Sequence, residues 1–185
     1  GIEVRVLGEG GNELPHDGST IGELQLRGAW VTQRYMNIDS DAFTGDGWLR
    51  TGDVGHIDPQ GYVQLTDRSK DVIKSGGEWI SSVDLEDAIL SHPDVDEVAV
   101  IAMPDERWQE RPLAVIVPVP GSQPNPALLR AFLATRVARF WIPEYWAFTA
   151  SIAKTSVGKT DKAALRADLK AGVIAPDIEY GDHSD

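Results

Sequence analysis

The chain contains no cysteine. That excludes a disulfide framework, a thiolate metal site and a cysteine nucleophile. His16, His56, His92 and His183 have no metal-ligand spacing, so no metal site is expected. No stretch approaches the roughly 20 apolar residues of a membrane-spanning helix. No G-x-S-x-G elbow is present to activate a serine. Cations are scarce beside anions: 17 Lys and Arg against 29 Asp and Glu, a formal net charge of −12. That balance argues against a broad nucleic-acid or anionic-membrane surface. It leaves room for a local basic site that takes one phosphate. At 42% hydrophobic over 185 residues there is enough apolar material for a core without staples.

The pattern changes along the chain. Ile2, Val4 and Val6 alternate with Glu3 and Arg5, so the chain opens as a strand already under way. With no initiator Met, no basic n-region and no apolar h-region, this start reads as a fragment of something longer, not as a signal peptide. Gly22–Gly28 alternates again, with Leu24 and Leu26 on one face. Asp58-Pro59-Gln60-Gly61 is a β-turn joining Val54–Ile57 to Tyr62–Leu65 in a hairpin. A short helical piece is expected near Val31–Tyr35.

Beyond Ser69 the texture is mixed. Ser81 or Ser82 can cap a helix to Leu90, with Leu85, Ala88 and Ile89 as its apolar stripe. Glu97–Met103 reads as a strand stopped by Pro104, and Pro112–Val117 as a central strand. Pro126–Arg139 reads as a helix burying Leu128, Leu129, Phe132, Leu133 and Val137. Trp146–Phe148 is a short strand and Lys162–Leu169 a last helix. Ala171–Asp185 is polar and expected to fray. Trp30, Trp48 and Trp141 are expected in the core or at a domain contact. Phe140-Trp141-Ile142-Pro143 reads as packing. The expected fold is α+β: a β-rich segment over residues 1–68, then an α+β domain over 69–185 with a small central sheet flanked by helices.

Three polar-glycine clusters are not demanded by such a fold. In Arg50-Thr51-Gly52-Asp53, glycine permits a tight turn that presents one carboxylate, able to accept from both hydroxyls of a vicinal diol. Asp67–Trp79 combines Arg68, Lys70 and Lys74 with paired Gly76-Gly77 and Trp79, and paired glycines let backbone approach a thin ligand. Lys154-Thr155-Ser156-Val157-Gly158-Lys159 presents a lysine just before a helix. It lacks the Walker A spacing. Each cluster alone is equally compatible with a turn, a linker or a solvated loop.

Taken in order, the clusters resemble the adenylate-forming superfamily of acyl-CoA synthetases. The likeness runs through L-R-T-G-D-V-G-H-I-D at Leu49–Asp58 and D-R-S-K-D-V-I-K-S-G-G-E-W-I-S at Asp67–Ser81. It continues through V-D-L-E at Val83–Glu86, H-P-D-V at His92–Val95, Q-E-R-P-L-A at Gln109–Ala114 and K-T-S-V-G-K at Lys154–Lys159. The G-G-E-W-I-S and W-Q-E-R-P forms are most similar to bacterial medium- and long-chain fatty acyl-CoA synthetases.

The resemblance implies a C-terminal portion of an ATP-dependent fatty acid–CoA ligase working through an acyl-adenylate. Residues 1–68 would end a large AMP-binding domain, with a distorted barrel-like β arrangement, and 69–185 would be a small mobile domain. Asp53 would hold the ribose hydroxyls of ATP or AMP, with Arg68 beside it. Lys70 would be the hinge. Lys159 would contact carboxylate and α-phosphate oxygens during adenylation. Lys74, Gly76, Gly77, Glu78 and Trp79 would lie at the coenzyme A face, Lys74 also acting in thioester formation. Ala153 stands where the family commonly has proline, which should loosen the Lys159 loop. The implied small molecules are fatty acid, ATP, coenzyme A and Mg2+. The phosphate loop, the acyl pocket and the magnesium-binding motif would lie upstream of Gly1, in the rest of the large domain. The isolated chain is therefore expected to be inactive. A cytoplasmic location is implied, with peripheral membrane attachment left open. Two other readings stand beside this one: part of a fatty acyl-AMP ligase or carrier-protein-serving adenylation enzyme, and a non-catalytic binding or regulatory module.

Overall fold

The computed structural model describes residues 1–32 and 42–178. It divides into two compact units, Gly1–Lys70 and Asp71–Asp185. The helical piece expected near Val31–Tyr35 lies largely outside the described residues, as does the end of the polar tail.

The first unit is an antiparallel meander in the order β1 (Ile2–Leu7), β2 (Gly22–Gly28), β3 (Leu49–Ile57), β4 (Val63–Arg68). The turn between β3 and β4 follows from Asp58 and Gly61. Gly61 sits at φ +88°, and its N–H donates to the Asp58 carbonyl at 2.9 Å. Val6, Leu24 and Ile57 form a small core. Gln25 is also fully buried, against simple alternation. Its Oε1 accepts from Arg5 Nε and Nη2 at 3.0 and 2.8 Å. Arg5 and Arg27 in turn lie over the Trp48 ring, 4.4 and 4.5 Å from its centroid. Trp48 is thus buried as expected, but Trp30 is 86% exposed and is no core residue.

The second unit is built around β8 (Gln109–Pro118). It pairs antiparallel with β7 (Val95–Asp105), parallel with β9 (Tyr145–Phe148), and at Gln109 with β5 (Ile73–Ser75). β6 (Glu78–Ile80) extends the β5 side, and a two-residue strand β10 (Asp177–Ile178) extends the β9 side. Part of the expected frayed tail is therefore paired. Alternation across β8 explains its unbroken apolar run. Ala114 and Ile116 face a core with α1 (Ser82–Leu90) and α2 (Pro126–Leu133). Leu113, Val115 and Val117 face a second core with α3 (Lys162–Lys170). A strand covered on both faces has no polar side to show.

Local chemistry sets the ends. The Ser81 hydroxyl accepts from the Asp84 N–H and caps α1. β7 does not stop at Pro104 but continues to Asp105 opposite Gln109. Among the described residues it pairs only with β8, so the missing proline donor faces no neighbouring strand there. α2 ends at Leu133, six residues earlier than the sequence suggests, and Leu128 is 53% exposed. Arg136 Nη1 donates to the Phe132 carbonyl at 2.8 Å, and the Arg136 N–H turns back to Leu133. The helix is thereby closed off before Thr135 and Val137, both weak helix formers. Residues Arg139–Trp141 then form a single 3-10 turn.

Candidate functional site

The first cluster is organised by the β3–β4 ladder. Asp53 and Arg68 are cross-strand partners, and Arg68 Nε lies 3.0 Å from Asp53 Oδ1. Gly52 adopts φ +74°, and its carbonyl accepts from the Ser69 N–H at 2.9 Å. The Thr51 hydroxyl accepts from the Asp53 N–H at 3.1 Å and donates to the Leu24 carbonyl at 2.7 Å. A partly exposed carboxylate is therefore held in one orientation beside a guanidinium. Such a pair can accept from hydroxyls and donate to anionic oxygens at neighbouring points. Lys70 is exposed and is the last residue of its unit.

The second cluster forms the β5–β6 hairpin, which the glycine pair closes. Gly76 and Gly77 have φ +61° and +87°. Two consecutive positive φ values at a two-residue turn are what a tight hairpin of the type I′ kind requires. The turn alone therefore accounts for both glycines. They also differ in surroundings. A Cβ on Gly76 would lie 2.7 Å from Trp108 Cε3, whereas one on Gly77 would meet nothing within 4 Å. Open approach is available only at Gly77. Lys74 pairs across the hairpin with Trp79, its Nζ 5.5 Å from the ring centroid, and its N–H donates to Glu110 Oε2 at 2.8 Å.

Gly76 and Glu78 border a cavity of about 360 Å³ whose other walls include Trp108, Arg111, Arg139 and Phe140. Arg111 is its structural centre. Nη1 donates to the Ser75 hydroxyl at 2.9 Å and the Phe140 carbonyl at 2.7 Å. Nη2 donates to the Ile142 carbonyl at 3.2 Å and lies 3.5 Å from Glu144 Oε1. The side chain thus staples the end of β5 to the segment carrying Phe140.

The third cluster is a closed loop between β9 and α3. The Thr155 N–H donates to the Lys159 carbonyl at 2.7 Å, and Gly158, at φ +80°, donates to the Thr155 carbonyl at 2.9 Å. Lys154 pairs with Glu97 at 2.5 Å. The Asp161 N–H donates to the Ala153 carbonyl at 2.8 Å, closing the loop. Lys159 is exposed at the end of this loop, and its ammonium has no hydrogen-bond or ion-pair partner among the described residues.

Residues 84–159 match the family model of the AMP-binding enzyme C-terminal domain. The chain is 47% identical over 173 residues to a long-chain-fatty-acid–CoA ligase of Thermus thermophilus, covering 91% of this chain and 32% of that protein. It is 43% identical over 170 residues to a 3-methylmercaptopropionyl-CoA ligase of Ruegeria lacuscaerulensis, again covering 92% of this chain and 32% of the relative. Among solved structures, ATP-bound MatB from Rhodopseudomonas palustris superposes with a TM-score of 0.76 at 32% identity, over 92% of this chain and 34% of that one. The chain carries the C-terminal domain of the adenylate-forming enzymes. It spans about a third of the length of the curated relatives it matches.

The structure places the predicted residues in three groups. Asp53 and Arg68 meet directly in the first unit. Lys74, Gly76, Gly77, Glu78 and Trp79 share one hairpin in the second. Lys159 stands on a separate loop of that second unit. Sequence reasoning missed Trp108, Arg111, Arg139 and Phe140 as walls of one cavity. Phe140 was expected only to pack, yet it is 43% exposed beside that cavity. Arg111 precedes the apolar β8 run, after Gln109 and Glu110, so nothing in the local pattern marks it as buried. Among the described residues no group of three or more carboxylates and imidazoles could hold a metal ion, and no helix is long and apolar enough to cross a membrane.

Proposed function

We propose that this chain is part of an AMP-forming acid–thiol ligase acting on a fatty acid, ATP and coenzyme A. In the first half-reaction a carboxylate oxygen attacks the α-phosphorus of ATP, and pyrophosphate leaves. In the second, the coenzyme A thiol attacks the acyl carbonyl, and AMP leaves. The observation that carries the reading is Lys159: an exposed cation on a hydrogen-bonded loop, with no partner for its ammonium among the described residues. Desolvated beside a pentavalent phosphorus, it would stabilise charge that grows only in the transition state.

The Asp53–Arg68 pair suits ribose hydroxyls and the oxygens beside them. The cavity beside Gly76 and Glu78 suits a part of coenzyme A, with Arg139 for phosphate and Phe140 and Trp108 as flat apolar walls. Lys74 at the hairpin serves the thioester face. Lys70 ends one compact unit and is the hinge about which the other turns, so that one nucleotide site is completed by Lys159 and then by the hairpin. Magnesium and the acyl group are held mainly by parts of the protein outside this chain, and these 185 residues alone release no pyrophosphate.

The test uses a full-length ligase containing this chain. Lys159→Ala is expected to lower acid-dependent ATP–pyrophosphate exchange by roughly 10²–10³-fold, the effect of one well-placed donor. Thioester formation from supplied acyl-adenylate should stay comparatively intact. Equal loss of both half-reactions refutes the assignment. Transfer to a carrier-protein phosphopantetheine in place of free coenzyme A would redirect it to the carrier-serving enzymes.

A further inference from the structure

Lys162 is the first residue of α3, three positions after Lys159. A cation there opposes the helix dipole, whose positive end is the N-terminus. Helix chemistry therefore gives no reason for a lysine at this position, and Asp161 already supplies the cap by accepting from the Ala163 and Ala164 N–H groups. The reason is tertiary. Lys162 Nζ lies 2.8 Å from Glu86 Oε1 and 2.7 Å from Ser82 Oγ, both on α1. The lysine and glutamate side chains are only 13% and 20% exposed. Glu86 Oε1 is itself fixed, because it also accepts from the Val100 N–H of β7 at 2.7 Å. Ser82 is fully buried.

We infer that Lys162 is a positioning residue for Lys159. Its ammonium ties the start of α3, and with it the C-terminal end of the Lys159 loop, to α1 and β7. One turn along α3, Arg166 pairs with Asp71, which prevents the helix from rolling about the first tie. The other end of the loop is held by the Lys154–Glu97 pair and by buried Ile152. α1 follows directly from the β5–β6 hairpin, so the same tie makes the Lys159 loop and the Gly76-Gly77 turn parts of one body. A single rotation about Lys70 would then move both together. The catalytic meaning of the tie rests on the role proposed for Lys159, but the tie itself does not.

Amide hydrogen exchange on the full 185-residue chain tests the tie without any activity. Lys162→Met should speed exchange at Thr155, Asp161 and Leu165 about tenfold, as a locally loosened segment does. Ile101 and Val115 in the β7–β8 ladder should keep their rates. Lys162→Arg, which retains the charge and the reach, should restore the loop rates to within about twofold. If Lys162→Met unfolds the chain, shown by rapid exchange at Ile101, Glu86→Gln takes its place. That variant keeps an acceptor for Val100 and removes the ion pair, and the same acceleration is expected. Wild-type loop rates in either folded variant overturn the inference. In a full-length ligase, Lys162→Met should lower kcat for adenylation with KM for ATP unchanged, and Lys162→Arg should rescue it. An unchanged kcat overturns the positioning role. A wild-type protein without ligase activity would defeat the proposed function and leave the exchange result standing.

Discussion

Replacing Gly76 or Gly77 with alanine asks the same backbone question at adjacent positions with different surroundings. Both lie at positive φ, +61° and +87°. An L-residue with a Cβ in that region costs about 1–2 kcal/mol. Gly77→Ala should incur that alone, because its Cβ enters open space. Gly76→Ala adds a contact of 2.7 Å with Trp108 Cε3. The indole cannot simply step aside. Its backbone is pinned on both sides, with the Gly76 N–H donating to the Trp108 carbonyl at 2.9 Å and the Trp108 N–H donating to Asp105 at 2.8 Å. Forcing one extra methyl into such packing costs a further ~1–3 kcal/mol. The expected totals are ~2–5 kcal/mol for Gly76→Ala and ~1–2 kcal/mol for Gly77→Ala. The assay is urea unfolding followed at the Val115 amide, because two compact units make a whole-chain probe ambiguous. With a urea slope of about 1–3 kcal/mol per molar, a 3 kcal/mol loss lowers the midpoint by roughly 1–3 M. Truncating the ring by Trp108→Ala should remove the excess, so that Gly76→Ala then costs about what Gly77→Ala costs. Equal costs in the wild-type background, or an excess that survives Trp108→Ala, would refute the reasoning.

Arg111→Met should destabilise the second unit by about 1–3 kcal/mol, since it strips their donor from the Ser75 hydroxyl and the Phe140 and Ile142 carbonyls. Arg111→Lys, which keeps a donor and the charge, should lose less, and urea midpoints of the two variants check it. Asp105 predicts a pH dependence. Burial pushes its carboxyl up, but N–H groups of Trp108 and Arg107, the Tyr145 hydroxyl and nearby Arg111 outweigh this and hold it below the ordinary value. A depressed folded pKa contributes stability above the unfolded value of about 3.9 and loses it as pH falls through the folded one. Asp105→Asn should therefore flatten the fall in urea midpoint of the second unit on acidification below about pH 4. An unchanged slope would show that the carboxylate is not depressed by folding.

Much of the fold was legible because it rests on local rules. The turn at Asp58–Gly61, the Ser81 cap and the α3 span follow from residue types at fixed offsets. The β8 run could be read as central because two covered faces leave no polar alternation. The misreadings have separate causes, none of them carried by the local pattern of apolar residues. α2 ends where Arg136 takes the Phe132 carbonyl. β7 passes through Pro104 because, among the described residues, no strand lies beyond it. Gln25 is buried because Arg5 uses its oxygen. The β5–β6 hairpin went unread because each of its strands has only three residues, too few to show a period.

The sequence by itself determined which side chains could carry chemistry. Asp53 beside a glycine, the Gly76-Gly77 pair and Lys159 before a helix are all visible as residue types at short spacing. Their order along the chain carried the family. Only the tertiary structure decided what each is bonded to. It set Arg68 against Asp53, made the glycine pair a hairpin turn and left the Lys159 ammonium without a partner among the described residues. It also gathered Ser75, Arg111 and Phe140 around one cavity and joined Lys162 to Glu86. The physical reason is that these partnerships link residues up to 76 positions apart, as from Glu86 to Lys162. Strand register and helix packing set such distances, and no short-range pattern in the chain encodes them.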